Sequence, residues 1–172
     1  MIYSTSSNPQ QPTPLSITSG FDTSLGSQHL QKYGFVTPVI VQTPAILCVL
    51  PLLKPLKTVL VMALLDTGAT RTCISGVVAD ALMLNPVGFS EANTATGIAT
   101  FSDYAVDIIF PNSGLRSFEN MKVGSCSLPY DHSLPDQQRM ESTNFGVLIG
   151  RDMMARWNIV WNGPTSSVFI TE

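Results

Sequence analysis

Asp66-Thr67-Gly68-Ala69 follows directly on the apolar run Thr58–Leu65, so a carboxylate stands where a buried strand should end. Held there by a rigid element, such a group can take a proton from water and help water attack a carbonyl. Gly68 leaves space where backbone must approach closely, Thr67 offers a hydroxyl, and the N–H groups of the turn can face the carboxylate as donors. An Asp-Thr-Gly turn also ends many strands without any chemistry, so the tripeptide alone leaves both readings open.

Other chemistry-bearing residues form weaker groupings. Cys126 and His132 lie six positions apart with Asp131 beside the histidine, a spacing open to a thiol nucleophile or to metal ligation. The intervening Ser127-Leu128-Pro129-Tyr130 and the lack of a second nearby histidine favour a surface His and a half-buried Cys. Trp157 and Trp161 read as core or interface anchors, with the interface preferred, and Arg151 and Arg156 as structural ion-pair donors. No Gly-rich phosphate loop, basic helix or aromatic-basic platform is present.

The elements that must position Asp66 read as β-structure. Short runs of Val, Ile, Leu, Phe and Thr alternate with Pro, Gly, Asn and Ser, predicting strands at Val39–Gln42, Ile46–Leu50, Thr58–Leu65, Phe145–Ile149, Ile159–Trp161 and Val168–Thr171. Thr58–Leu65 is continuously apolar, as expected of a central strand covered on both faces. Phe101–Phe110 alternates, with Tyr104, Val106, Ile108 and Phe110 on one face and Asp103 and Asp107 on the other. Helix is scarce: Gly76–Leu84 behind a Ser75 N-cap, with Val77, Ala81 and Leu84 on one face, and a short Asp152–Arg156. Two apolar strands entering glycine turns, at Ala63–Thr72 and Gly146–Met154, suggest a pseudo-symmetric barrel.

Composition narrows the function. Of 172 residues only 12% are charged, about half the ~25% usual for soluble domains, which points to a buried interface. Nine Lys and Arg against twelve Asp and Glu give a net charge of −3, so neither nucleic acid nor an acidic membrane is an expected partner. Cys48, Cys73 and Cys126 are too few and too widely spaced for a disulfide framework or zinc ribbon, which suits a reducing compartment. The first twenty residues lack Lys, Arg and any apolar run, and prolines break the stretch Val36–Leu65; the expectation is a cytoplasmic chain without signal peptide or membrane helix. In residues 1–34, 22 are Ser, Thr, Pro, Gln, Gly or Asn, a composition read as a flexible tail ahead of one domain at 35–172.

The span TVLVMALLDTGATRTCI (Thr58–Ile74), followed later by FGVLIGRDMM (Phe145–Met154), resembles the retropepsin-like aspartic protease family, in its small bacterial-type single-domain members. Leu64–Ala69 match its strand ending in D-T-G-A. Leu148–Met154 match its apolar strand whose Gly150, Arg151 and Asp152 form the turn and helix start. Trp161-Asn162-Gly163-Pro164 and Val168–Ile170 look like its closing hairpin, so the similarity spans about Thr37–Thr171. The resemblance implies an all-β closed acid-protease barrel with one or two short helices. It also implies a flap hairpin around Thr96, Gly97 and Ile98, with Gly97 lying 31 residues beyond Asp66.

This resemblance makes Asp66 the catalytic residue, with Thr67, Gly68 and Ala69 as active-site support. Hydrolysis by this route needs two carboxylates sharing one proton, and the chain has one D-T-G. A two-fold homodimer would supply the second from the same strand end. The expected activity is aspartic endopeptidase action on a peptide or protein substrate, with no metal or organic cofactor and an acid-shifted, bell-shaped rate profile. Thr70 and Arg71 stand where retroviral members carry acidic residues, leaving Arg151 without its expected carboxylate partner unless Asp152 substitutes. The segment Pro111–Asn144 is longer than in compact viral enzymes. The alternative reading is a non-catalytic peptide-binding or dimerisation module on the same fold.

Overall fold

The strand that carries Asp66 forms as its sequence dictates: β-branched and aliphatic residues from Thr58 to Leu65 bury Val61 and Ala63 completely. The computed structural model describes residues 15–18, 34–48, 56–94, 97–111, 113–140, 143–164 and 167–172. Its strands in chain order are β1 (Leu15–Thr18), β2 (Phe35–Gln42), β3 (Thr58–Leu65), β4 (Cys73–Ser75), β5 (Gly88–Thr94), β6 (Gly97–Ile109), β7 (Phe118–Cys126), β8 (Phe145–Ile149), β9 (Asn158–Asn162) and β10 (Ser167–Thr171). Short helices α1 (Gly76–Ala81), α2 (Asp136–Arg139) and α3 (Arg151–Met154) complete the described elements.

Strands pair in the order β2-β3-β8-β4-β7-β6, and β6 pairs back onto β2, so six strands close a barrel. The fold is thus all-β, as expected. Closure leaves the ring itself without free edges. The interior is filled by Val39, Val41, Val61, Ile74, Val106, Ile108, Val123 and Ile149, each fully buried. Each such side chain contributes roughly 1.5–3 kcal/mol by leaving water. A separate three-stranded sheet, β1-β10-β9, buries Val168 and Ile170. Its strand β1 falls within the stretch whose composition reads as a tail; the neighbouring residues 1–14 and 19–33 lie outside the described ones.

Several expectations are corrected. Of the strand expected at Ile46–Leu50, residues 46–48 lie in a 3-10 turn, Ala45–Cys48, where the Asp107 carboxylate accepts the Ala45 N–H at 2.9 Å and Gln42 Nε2 at 3.0 Å; residues 49 and 50 lie outside the described ones. Asp103 and Asp107 do lie opposite the core face of β6, yet both are buried. Helix α1 is capped by Ser75 Oγ, which accepts the Val77 N–H at 3.2 Å, but it stops at Ala81. It buries Val78, Ala79 and, just beyond, Leu82, while Val77 is exposed. The short helix expected at Asp152–Arg156 is α3, which runs Arg151–Met154. Trp157 is a core residue, packed edge-on against Phe110 and Phe118 at 5.2 and 5.7 Å. Arg156 lies over Phe118 at 5.2 Å from the ring centre, a cation–π contact in place of the expected ion pair. The long segment Pro111–Asn144 contains β7, which pairs with both β4 and β6.

Candidate active site

Strands β3 and β8 run parallel and adjacent, with Leu65 opposite Ile149. That pairing brings together two sequence motifs some eighty positions apart. The Asp66 N–H donates to the Ile149 carbonyl at 3.0 Å, extending the ladder to the half-buried aspartate itself. Beyond it the chain turns: the Ala69 N–H donates to the Asp66 carbonyl at 3.1 Å, and the Gly68 N–H donates to Asp66 Oδ1 at 2.7 Å. A Cβ on Gly68 would stand 3.0 Å from that same oxygen, so glycine here keeps the carboxylate in place and approachable.

Three consecutive residues hold this loop from below. The Gly150 N–H donates to Thr72 Oγ1 at 3.1 Å in a buried contact. The Arg151 N–H donates to the Ala69 carbonyl at 3.0 Å, while its guanidinium reaches the Thr67 and Gly68 carbonyls at 2.7 and 3.1 Å and Thr70 Oγ1 at 3.0 Å. Asp152 takes the Thr72 N–H on both oxygens at 2.9 Å and the Thr72 hydroxyl at 2.8 Å. Asp152 therefore does not serve as the local partner of Arg151. Arginine satisfies carbonyls instead, and the carboxylate satisfies the far end of the loop.

The hairpin expected as a flap is β5–β6, paired from Gly88–Asp103 to Thr94–Gly97 with two intervening residues. Gly97 sits at the start of β6 with φ of 125°, a backbone geometry that favours glycine, and Ile98 is 73% exposed. Thr96 lies outside the described residues. One contributor escaped the sequence reading: Arg71, in the Asp66 loop, donates to Ser90 Oγ at 2.7 Å and to Asp103 Oδ1 at 3.2 Å, both on the hairpin. Its signal was its place after D-T-G-A, where it counted only as a departure.

The Cys126–His132 grouping does not assemble as a nucleophile and base. Cys126 lies beside Cys73 on the neighbouring strand, and that thiol together with burial pushes its own well above the usual range. His132 Nδ1 instead meets the Tyr130 hydroxyl at 3.0 Å. Among the described residues no group of three or more His, Cys, Asp or Glu is arranged to hold a metal ion, and no helix is long and apolar enough to cross a membrane. A groove of about 410 Å³, lined by Thr58, Leu60, His132 and Arg139 among others, begins at the opposite end of β3 from Asp66.

No family model matches the chain, and no curated protein matches it. Among solved structures, a retropepsin-like aspartic protease from Rickettsia conorii is similar over 93% of this chain and 91% of that one, at 13% identity and a TM-score of 0.49.

Proposed function

We propose that the protein is an aspartic endopeptidase, active as a homodimer, in which Asp66 and its copy form the catalytic pair. The observation that carries this reading is the Asp66 loop itself. A half-buried carboxylate stands at the end of a barrel strand, oriented by the Gly68 N–H and braced by Gly150, Arg151 and Asp152. Rigid support of this kind suits a group that must meet a reacting atom with little reorganisation. The match of Leu64–Ala69 and Leu148–Met154 to the retropepsin motifs adds to it. One ionised carboxylate would take a proton from water while its neutral partner polarised the scissile carbonyl.

The need for a second copy finds support beside the loop. Trp161 on β9 packs edge-on against Phe35 at 4.7 Å between ring centres, and Phe35 is the register partner of Leu65. The outer strand β9 exposes Ile159, Val160 and Trp161, and no charged residue occurs from Asn158 to Thr171. An apolar outer strand without charge is suited to pairing with another chain, and this one borders the Asp66 end of the barrel.

The test is cleavage of a peptide library by the wild type and by Asp66→Asn. The amide has nearly the same volume but cannot act as the base, so turnover should fall by at least about a hundredfold with the circular dichroism unchanged. Peptide binding without turnover in the wild type would instead establish the non-catalytic module.

A further inference from the structure

Asp103 is fully buried, yet two cations and a hydroxyl converge on its carboxylate. Arg71 Nη2 lies 3.2 Å from Oδ1, Ser90 Oγ donates to the same oxygen at 2.7 Å, and Lys122 Nζ lies 2.8 Å from Oδ2. Arg71 Nη1 also donates to Ser90 Oγ at 2.7 Å, closing a ring of three side chains. Ser90 belongs to β5 and Asp103 to β6, so one guanidinium grips both strands of the hairpin.

The grip falls where the hairpin leaves the barrel. From Asp103 onward β6 pairs with β7, whereas from Gly97 to Ser102 it pairs only with β5. The Val87 N–H donates to the Asp103 carbonyl at 2.8 Å and closes the stem. Arg71 itself belongs to the loop that begins at Asp66, and the residue after it, Thr72, is fixed by Asp152. Burying a carboxylate with its counter-ions gains little net stability over apolar packing of the same volume, so bulk stability does not account for the arrangement. What a planar fork provides is direction: two donors at fixed angles, each committed to a different strand.

We propose that Arg71 is a positioning residue that sets the angle of the β5–β6 hairpin over the Asp66 loop, with Ser90 and Asp103 as its two holds and Lys122 as the second counter-charge. This rests on the endopeptidase reading, in which the hairpin covers a bound peptide. Arg71 touches neither the reacting atoms nor Asp66 in this scheme; it acts through the hairpin. Loss of the grip frees the hairpin at its stem and weakens peptide capture more than the chemical step.

The test uses the full chain as wild type, Arg71→Ala, Arg71→Lys and Ser90→Ala, read by amide hydrogen exchange and by kcat and KM on one cleaved peptide. In Arg71→Ala, exchange across 88–103 should quicken and KM rise by about tenfold each, the equivalent of losing one charge-assisted hydrogen bond. Exchange in Thr58–Leu65 should stay unchanged and kcat should move far less than KM. Ser90→Ala, which leaves every charge in place, should give the same pattern more weakly. Arg71→Lys should fall between, because an ammonium can replace the ion pair but not the fork. Hairpin exchange equal to wild type in Arg71→Ala, an equal rise in Thr58–Leu65, or a fall in kcat at constant KM would each overturn the proposal. Absence of turnover in the wild type overturns the endopeptidase reading, whereas wild-type turnover with an unmoved hairpin overturns only the role of Arg71.

Discussion

Asp152 accepts both the N–H and the hydroxyl of Thr72, at 2.9 and 2.8 Å, and so ties the first turn of α3 to the far end of the Asp66 loop. The same hydroxyl accepts the Gly150 N–H at 3.1 Å, so Thr72 is the hub between the two motifs. Thr72 is fully buried, and a polar group in such a place must be paired.

Replacing Asp152 by alanine leaves the Thr72 N–H and hydroxyl without their acceptor. The expected cost is about 2 kcal/mol, the range for a hydrogen bond to a charged group whose partner stays buried. Urea unfolding should show a lower midpoint at unchanged slope. Activity of the folded fraction should fall as well, because the loop loses one of its holds. An unchanged midpoint would mean that water replaces the carboxylate.

Gly150 is the second fixed point. A Cβ there would stand 2.6 Å from the Arg71 carbonyl oxygen and 2.9 Å from its Cα, and backbone cannot yield as a flexible side chain does. Gly150→Ala should therefore destabilise by about 1–3 kcal/mol or more, the range for forcing extra volume into a packed site. It should also impair turnover beyond its effect on the folded fraction, since the displaced backbone belongs to the Asp66 loop. Thermal melting and peptide cleavage measured together separate the two effects.

The strands β3 and β8 were legible because their information is local. Both are apolar runs that end in glycine turns, and the turn residues follow at fixed offsets. β7 was missed because FENMKVGSC mixes Glu, Asn, Lys and Gly into a strand whose partners, β4 and β6, supply the order that its own pattern lacks. The burial of Asp103 was equally invisible: alternation assigns it correctly to the face away from the core, but burial there depends on Arg71 and Lys122, 32 and 19 positions away. The same holds for Arg151, whose partners are carbonyls of the Asp66 loop. Side-chain identity announces a charge, and only the topology decides what answers it.

Dimer formation is open to a direct test on β9. Val160 is 61% exposed on that outer strand, opposite Phe169 on β10. A lysine on an outer strand opposes pairing with another chain while costing the fold little. Val160→Lys should thus leave stability within about 0.5 kcal/mol of wild type. Sedimentation equilibrium should show a dimer for the wild type and a monomer for the variant, and turnover should disappear with the dimer. Full activity in a monomeric Val160→Lys would sink the paired-aspartate mechanism.

The Asp103 cluster contributes a definite part of the protein's response to acid. Burial alone would raise the Asp103 carboxyl, but the Lys122 ammonium, the Ser90 hydroxyl and the Arg71 guanidinium outweigh it and hold the group below the usual carboxylate range. A carboxyl lower in the folded than in the unfolded chain contributes stability that is fully present above its unfolded value, about 3.9, and is lost as pH falls through the folded one. Lys122→Met keeps most of the side-chain volume and removes one of the two cations, so the folded value must rise toward the unfolded one. The variant should be less stable than wild type at neutral pH, and because its Asp103 has less to lose on protonation, the gap should narrow as pH falls below about 3.9. Melting temperatures of both proteins from about pH 3 to pH 7 read this directly, as a gap that changes in the acid range where carboxylates titrate. A constant gap across the whole range would show that Lys122 acts on the fold without holding the charge of Asp103.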